Sequence, residues 1–420
     1  MSMTLMERGR VRTPAVLVTW LMVLLLSLGG CALPQQEQGL DHAAVAEAIR
    51  ERYEAALPDL PLSKQRHYAQ RLYRLTGEDR YLPLNRAYGR QLVSDLREEI
   101  DALADPGHAA RRAQEQVAAY PEGSAKQRRR KRMLGEWGEI AYAKGLAFDL
   151  TQAKYHGLLN EADLPGYHRA LDYLAGVDFR TFVLDPDVMA VYAAQVANLV
   201  YYLEDLGVAD LREVATAAFR RQYPPARDPR LSTAEYRNKI YGMTHFVIAA
   251  SDYYQQPVSA EEFRWVLDEF AAGLERILVD TKEDIYTEVG ISFLLAGEED
   301  HPAVTRLRDA LVEAYDPEAR MVPSERGGTD LANGEHRNVL AIMLLDWPER
   351  LYPGPKISLL SNMRTPHSGG PRGFLAEGPT DHEYTGKVAS GLHAFPFQLS
   401  GDRCRKRFES HASRCAHRLL

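Results

Sequence analysis

Between residue 41 and about residue 353, apolar positions recur at the three- and four-residue steps of an α-helix. Few β-branched alternating runs interrupt them, and Pro and Gly fall mainly between segments. The segments come in pairs. One member is apolar nearly all round, as at 240–250, 289–296 and 339–345, the mark of a helix buried on every side. The other is amphipathic: in 259–279, Phe263, Val266, Leu267, Phe270, Leu274 and Ile277 form a single stripe. Inner helices are predicted near 64–76, 133–155, 186–205, 235–254, 281–296 and 334–346. Outer helices are predicted near 82–104, 162–175, 208–222, 259–279 and 301–315, which leaves the outer ring incomplete unless 42–56 closes it. Ser232 with Glu235, Ser259 with Glu262, and Thr281 with Asp284 have capping-box spacing. Corresponding residues return roughly every fifty positions: Tyr142, Tyr192 and Tyr241, then His245, Glu288 and His336. An inner ring of buried helices within an outer ring of amphipathic ones is an all-α (α/α) toroid. An open solenoid of helical repeats has the same periodicity.

Ahead of these helices the pattern changes. Arg8, Arg10 and Arg12 precede an apolar stretch at 14–28, too short to span a bilayer and of signal-peptide length. It ends in Leu28-Gly29-Gly30-Cys31, which resembles the lipobox of bacterial lipoproteins. That resemblance implies cleavage of residues 1–30, acylation of Cys31 with chains such as palmitate, and an envelope location. Ala32 after the cysteine resembles outer-membrane sorting, with the body facing the periplasm. Residues 31–41 read as a polar tether, 42–355 as the helical domain, and 356–420 as an irregular tail, disordered or frame-shifted, in which basic residues outnumber acidic ones.

Charge and cysteine usage narrow the function classes. Removing the leader takes three of 51 basic and one of 58 acidic residues and leaves a formal charge of about −9. An acidic exported chain is a poor partner for nucleic acid, which needs basic surface to displace counterions. After Cys31 no cysteine occurs until Cys404 and Cys415, so the body has no disulfide framework and no thiolate metal site. Cys404, His411, Cys415 and His417 match no familiar zinc spacing. HExxH, GxSxG, GxGxxG and P-loop motifs are lacking, and no metal or cofactor is expected. The basic run Lys126, Arg128, Arg129, Arg130, Lys131 and Arg132 reads as a solvated loop.

Candidate chemistry gathers on the inner helices. Asn238, Tyr241, His245 and Asp252 share one face of 235–254, and Glu288 lies in the first half of the next inner helix. Glu335, His336 and Asn338 open the last inner helix, while Glu136 and Glu139 stand on 133–155. In a toroid these groups would converge on a central cavity. Carboxylates, imidazoles and a phenol are the groups of general acid–base chemistry. Glu288 and Glu139 could serve as the acid and base of a glycoside hydrolase.

Three resemblances bear on this. The run at 71–82, with Thr76-Gly77-Glu78-Asp79 between helices, resembles hairpins of toroidal carbohydrate-active enzymes. Asn238, His245 and Tyr241 resemble the Asn, His and Tyr sets of toroidal polysaccharide lyases. That likeness implies that the amide binds a uronate, His takes a proton and Tyr returns it. Residues 236–353 resemble an uncharacterised family of exported Gram-negative proteins, which supplies no active site. The expected ligand is an envelope, cell-wall or imported saccharide. The alternative is a helical-repeat envelope lipoprotein that binds or assembles without catalysis.

Overall fold

The computed structural model describes residues 41–359, and among them the secondary structure is α-helix and short 3-10 turns, with no β-strand. Cys31, its leader and the tail from residue 360 lie outside the described residues.

From His42 onward the chain makes paired helices. α1 (His42–Ala56), α2 (Leu62–Thr76) and α3 (Leu82–Ala102) come first, followed by α4 (His108–Ala119), α5 (Ala125–Glu136) and α6 (Ile140–Tyr155). Next are α7 (His168–Ala175), α8 (Phe179–Leu184), α9 (Pro186–Asp205), α10 (Arg212–Gln222) and α11 (Thr233–Ala250). The last are α12 (Arg264–Ala272), α13 (Leu274–Asp280), α14 (Glu283–Leu295), α15 (Pro302–Ala314) and α16 (Leu331–Leu345). The predicted inner helices are the buried ones: α14 has twelve buried residues and α11 likewise twelve, whereas α15 buries only Ala303, Val304, Leu307 and Leu311. Contacts run from α2 to α3, α3 to α6, α6 to α9, α9 to α11, α11 to α14 and α14 to α16. α16 in turn packs on α1 and α2.

Local chemistry sets the boundaries. Ser232 and Glu235 form the expected capping box on α11, and Ser124 with Gln127 forms one on α5 that the sequence reading missed. The basic run is therefore not a loop: it is helical, and Arg130 is buried, donating to the carbonyl of Val191. Thr281 does not cap α14; its hydroxyl donates back to the Ile277 carbonyl, and Lys282 stands at the N-cap. The single segment expected at 133–155 is divided at Gly138, which takes a left-handed φ of 53°. The one at 259–279 starts later, at Arg264, and is divided at Gly273.

α11 ends at Ala250, four residues before the predicted end. Asp252, Tyr253 and Tyr254 then follow with φ of 51°, 58° and 71°, a conformation costing about 1–2 kcal/mol per non-glycine residue. Asp252 therefore does not continue the face of Asn238, Tyr241 and His245. Two contacts hold the turn: Ser251 Oγ accepts from the Tyr254 amide at 2.8 Å, and Arg74 donates to the Tyr253 carbonyl at 2.8 Å. Beyond α16 the chain runs without regular structure under the ends of α2 and α6. The Tyr352 amide donates to the Arg74 carbonyl, the Gly354 amide to Gln255, and the Ile357 amide to the His156 carbonyl.

Candidate functional site

Four inner helices bring one buried polar chain together. α16 contributes Glu335 and His336, α2 contributes His67, α14 contributes Glu288, and α11 contributes Thr244 and His245. Glu335 Oε1 lies 2.6 Å from His67 Nδ1, and His67 Nε2 lies 3.2 Å from His336 Nδ1. His336 Nε2 then stands 3.6 Å from Glu288 Oε1, and His245 Nε2 stands 3.8 Å from Glu288 Oε2. The Thr244 hydroxyl donates to Glu288 Oε2 at 2.8 Å. Asn198 Oδ1 on α9 lies 2.8 Å from His245 Nδ1, and the Tyr241 ring meets the His245 ring edge-on at 4.4 Å.

The amide oxygen of Asn198 accepts only, so it holds the proton of His245 on Nδ1 and leaves the Nε2 lone pair facing Glu288. Among the described residues, His245 Nε2 is buried with no hydrogen-bond partner. Burial pushes the Glu288 carboxyl up to about 8, against the opposing hydrogen bond from Thr244. Burial takes His245 down to about 3, with the Arg71 cation adding to the effect. The same desolvation lowers His67 and His336 and raises Glu335. At neutral pH the pair is thus a protonated carboxyl facing an imidazole with a free lone pair. Two titratable groups pushed apart in this way are suited to act as acid and base.

Around this chain, several side chains of inner helices keep part of their surface clear of protein although protein surrounds them. Lys144, Phe148 and Asp149 do so along one face of α6, and Asn198 and Tyr241 do so on α9 and α11. Burial raises Asp149 to about 7.

The sequence candidates divide. Tyr241, His245, Glu288 and His336 are brought together. Asn238 is not with them: its amide donates to the Met189 carbonyl at 3.1 Å and to the Tyr223 hydroxyl at 3.0 Å, so it ties α11 to α9. Asn338 donates to the carbonyls of Val322 and Gly334. Glu139 accepts from the Tyr173 hydroxyl at 3.0 Å in a groove lined by Trp137, Asp172 and Asp178, sharing no residue with the histidine chain. The expected pairing of Glu139 with Glu288 is therefore not made. Glu136 is exposed. Among the described residues, no group of three His, Cys, Asp or Glu is placed to hold a metal ion.

Sequence reasoning missed Asn198 and His67. Asn198 had a signal, since it interrupts an apolar inner run 47 residues before His245, close to the repeat interval. His67 had none, because although 64–76 is read as an inner helix, Arg66, Gln70 and Arg71 beside it give no reason to single out the histidine.

Residues 42–369 match a family described as a domain of unknown function, DUF3541. No curated protein and no solved structure matches the chain.

Proposed function

Since the chain belongs to the DUF3541 domain family, whose description assigns no activity, its function is read from the site, and we propose that it is a general acid–base enzyme acting on a saccharide of the cell envelope. The observation that carries this reading is Glu288 held between the Nε2 atoms of His336 and His245, at 3.6 and 3.8 Å, inside the helices. A carboxylate buried in this way costs several kcal/mol when ionised, and among the described residues no Lys or Arg pairs with it. In the proposed roles His245 Nε2 accepts a proton from the substrate and Glu288 supplies one to the departing oxygen. Asn198 fixes the tautomer of His245, and Tyr241 orients its ring. A hydrolase built on two facing carboxylates is the weaker reading, because Glu139 lies in the Tyr173 groove.

The architecture proposed with it is a closed (α/α) toroid. The return contact of α16 onto α1 and α2 supports closure over an open solenoid. The partly uncovered residues of α6, α9 and α11 would line its centre. The body would hang from lipidated Cys31 on the outer membrane, in the periplasm, where glycan substrates are present. Among the described residues no helix is long and apolar enough to cross a membrane.

Two measurements test these readings. Turnover of sacculi, alginate and polygalacturonate, followed by new reducing ends and by the ultraviolet absorbance of unsaturated sugars, is expected in the wild type. It should fall at least about a hundredfold in Glu288→Gln and in His245→Ala. Wild-type turnover in the double variant would end the acid–base reading. Separately, Cys31→Ser is expected to move the protein from the membrane fraction to the soluble one, and unchanged membrane retention would refute the anchor.

A further inference from the structure

Solvent access to the inner helices falls from their first turns to their last. On α11, Arg237 and Tyr241 are partly uncovered, His245 is 8% exposed and Ile248 1%, although all four share one face. Two neighbours grade the same way. Gln195 and Asn198 on α9 are partly uncovered, and Tyr202 on the same face is buried. On α6, Lys144 and Phe148 are partly uncovered, and Gln152 and Tyr155 are buried. Where these helices begin, charged side chains form a rim. Glu325 lies 3.1 Å from Arg237 of α11 and 2.9 Å from Lys282 at the N-cap of α14, and Lys64 of α2 lies 3.7 Å from Glu335 of α16. Lys64, Arg237 and Lys282 are all partly uncovered, and ion pairs in contact with water hold little.

Where the helices end, the chain itself crosses beneath them. Arg74, in the last turn of α2, donates to the Tyr253 carbonyl at 2.8 Å and to the Gly354 carbonyl at 2.9 Å. His156, just past α6, donates from Nδ1 to the Pro355 carbonyl at 2.9 Å, and Gln255, beyond α11, accepts from the Gly354 amide at 2.8 Å. Gly354 and Pro355 are both buried. The Tyr202 hydroxyl, near the end of α9, is hydrogen-bonded to that of Tyr253, and the two rings stack at 5.8 Å. Four inner helices, α2, α6, α9 and α11, are thus fastened at their ends to residues 253–255 or to residues 354–355. The left-handed run from Asp252 to Tyr254 acquires a use: it brings the Tyr253 carbonyl to Arg74 and its ring onto Tyr202.

We propose that the buried polar chain lies in a blind well, open where the inner helices begin and floored where they end, and that its ligand is the terminus of a glycan chain. The inference rests on the acid–base reading of the same site and on the closed ring. α11 rises about 12 Å from Arg237 to His245 and about 8 Å more to its last residue, Ala250. His245 and Glu288 therefore stand well below the rim. Beneath them lie Tyr202 and the partly uncovered Tyr253, backed by Arg74 and Gly354. A polymer bound in mid-chain has to leave its site on two sides, and this floor bars one of them. A chain end meets no such bar: its terminal unit goes down toward the tyrosines, and the rest of the chain runs out past the rim. The enzyme then works inward from chain ends and does not cut within chains.

The test has two arms, both on the full lipidated chain in detergent. The first needs no substrate. The sequence has no cysteine between Cys31 and Cys404, so in a Cys404→Ser, Cys415→Ser background single thiols can be placed at will. Lys282→Cys marks the rim, Asn198→Cys marks the well, and Tyr241→Cys gives a second interior thiol should Asn198→Cys fail to fold by circular dichroism. N-ethylmaleimide is expected to modify all three, and maleimide coupled to dextran only the rim thiol. Interior thiols that react with the dextran reagent, or with neither reagent, would overturn the well. The second arm sizes the first products from sacculi, alginate and polygalacturonate. Single units or short pieces are expected while the remaining polymer keeps nearly its full length. Products of intermediate length that disappear in Glu288→Gln would overturn end recognition and leave the acid–base reading standing. End release that persists in the Glu288→Gln, His245→Ala double variant would do the reverse. Turnover of none of the three would end the acid–base reading, and the thiol arm would still decide the well.

Discussion

In its proposed role, Glu288 sets function against stability at one residue. Its carboxyl is 1% exposed, and burial raises it to about 8 from an ordinary value near 4.5. Because the folded state holds this proton more tightly than the unfolded state, its contribution is fully present below about pH 4.5 and is lost as pH climbs toward 8. His245 runs the other way: its depressed value makes stability fall as pH drops below about 6.5 toward 3. Glutamine at 288 removes the titrating carboxyl without removing the shape. Glu288→Gln is therefore expected to raise thermal stability by on the order of 3 kcal/mol at pH 8, and by under about 1 kcal/mol at pH 5, while turnover collapses. Thermal unfolding of both proteins across that range checks it. A variant whose gain is the same at pH 5 and pH 8 would mean that Glu288 does not titrate as the buried acid.

At the scale of elements, apolar periodicity was the readable layer and the polar inner faces were legible only in part. Inner and outer helices could be told apart because α14 and α15 differ in how much of their circumference is apolar, which burial then reproduces. The interior faces of α2 and α6 follow a different rule. Arg66, His67, Gln70 and Arg71 look, in sequence, like the solvated side of an amphipathic helix, and only contacts with α3 and α16 turn that side inward. For the same reason Asn238 was taken for a site residue although it bonds α9, and Asn198 was overlooked. The left-handed turn after α11 was equally invisible, since Asp252, Tyr253 and Tyr254 carry no glycine to mark it. Close approach of α9 and α11, by contrast, has a sequence mark in Gly242. A Cβ there would lie 2.8 Å from that of Ala193 and 2.7 Å from the Phe219 ring, so any side chain would push the helices that carry Asn198 and His245 apart.

At the scale of the molecule, the proposed closed ring makes a thermodynamic claim that differs from that of a solenoid. In an open array each repeat touches only its neighbours, so terminal repeats fray and unfolding spreads over temperature. Here the last inner helix is bonded to the first: Glu335 of α16 lies 2.6 Å from His67 of α2, and Tyr53 of α1 donates to the Leu331 carbonyl at 3.2 Å. No inner helix between residues 42 and 345 is then terminal, and opening the ring anywhere exposes apolar surface on two neighbours at once. Calorimetry of the full chain is accordingly expected to show one principal transition for the helical body, with calorimetric and van't Hoff enthalpies in agreement. His67→Ala removes the closing hydrogen bond and the buried ring, while Lys64 still stands 3.7 Å from Glu335, so it should cost about 2 kcal/mol or more and lower that whole transition. A variant that instead splits the transition, melting α1 and α2 ahead of an unshifted remainder, would show that the helices behave as an open array and that the contact with α16 is incidental.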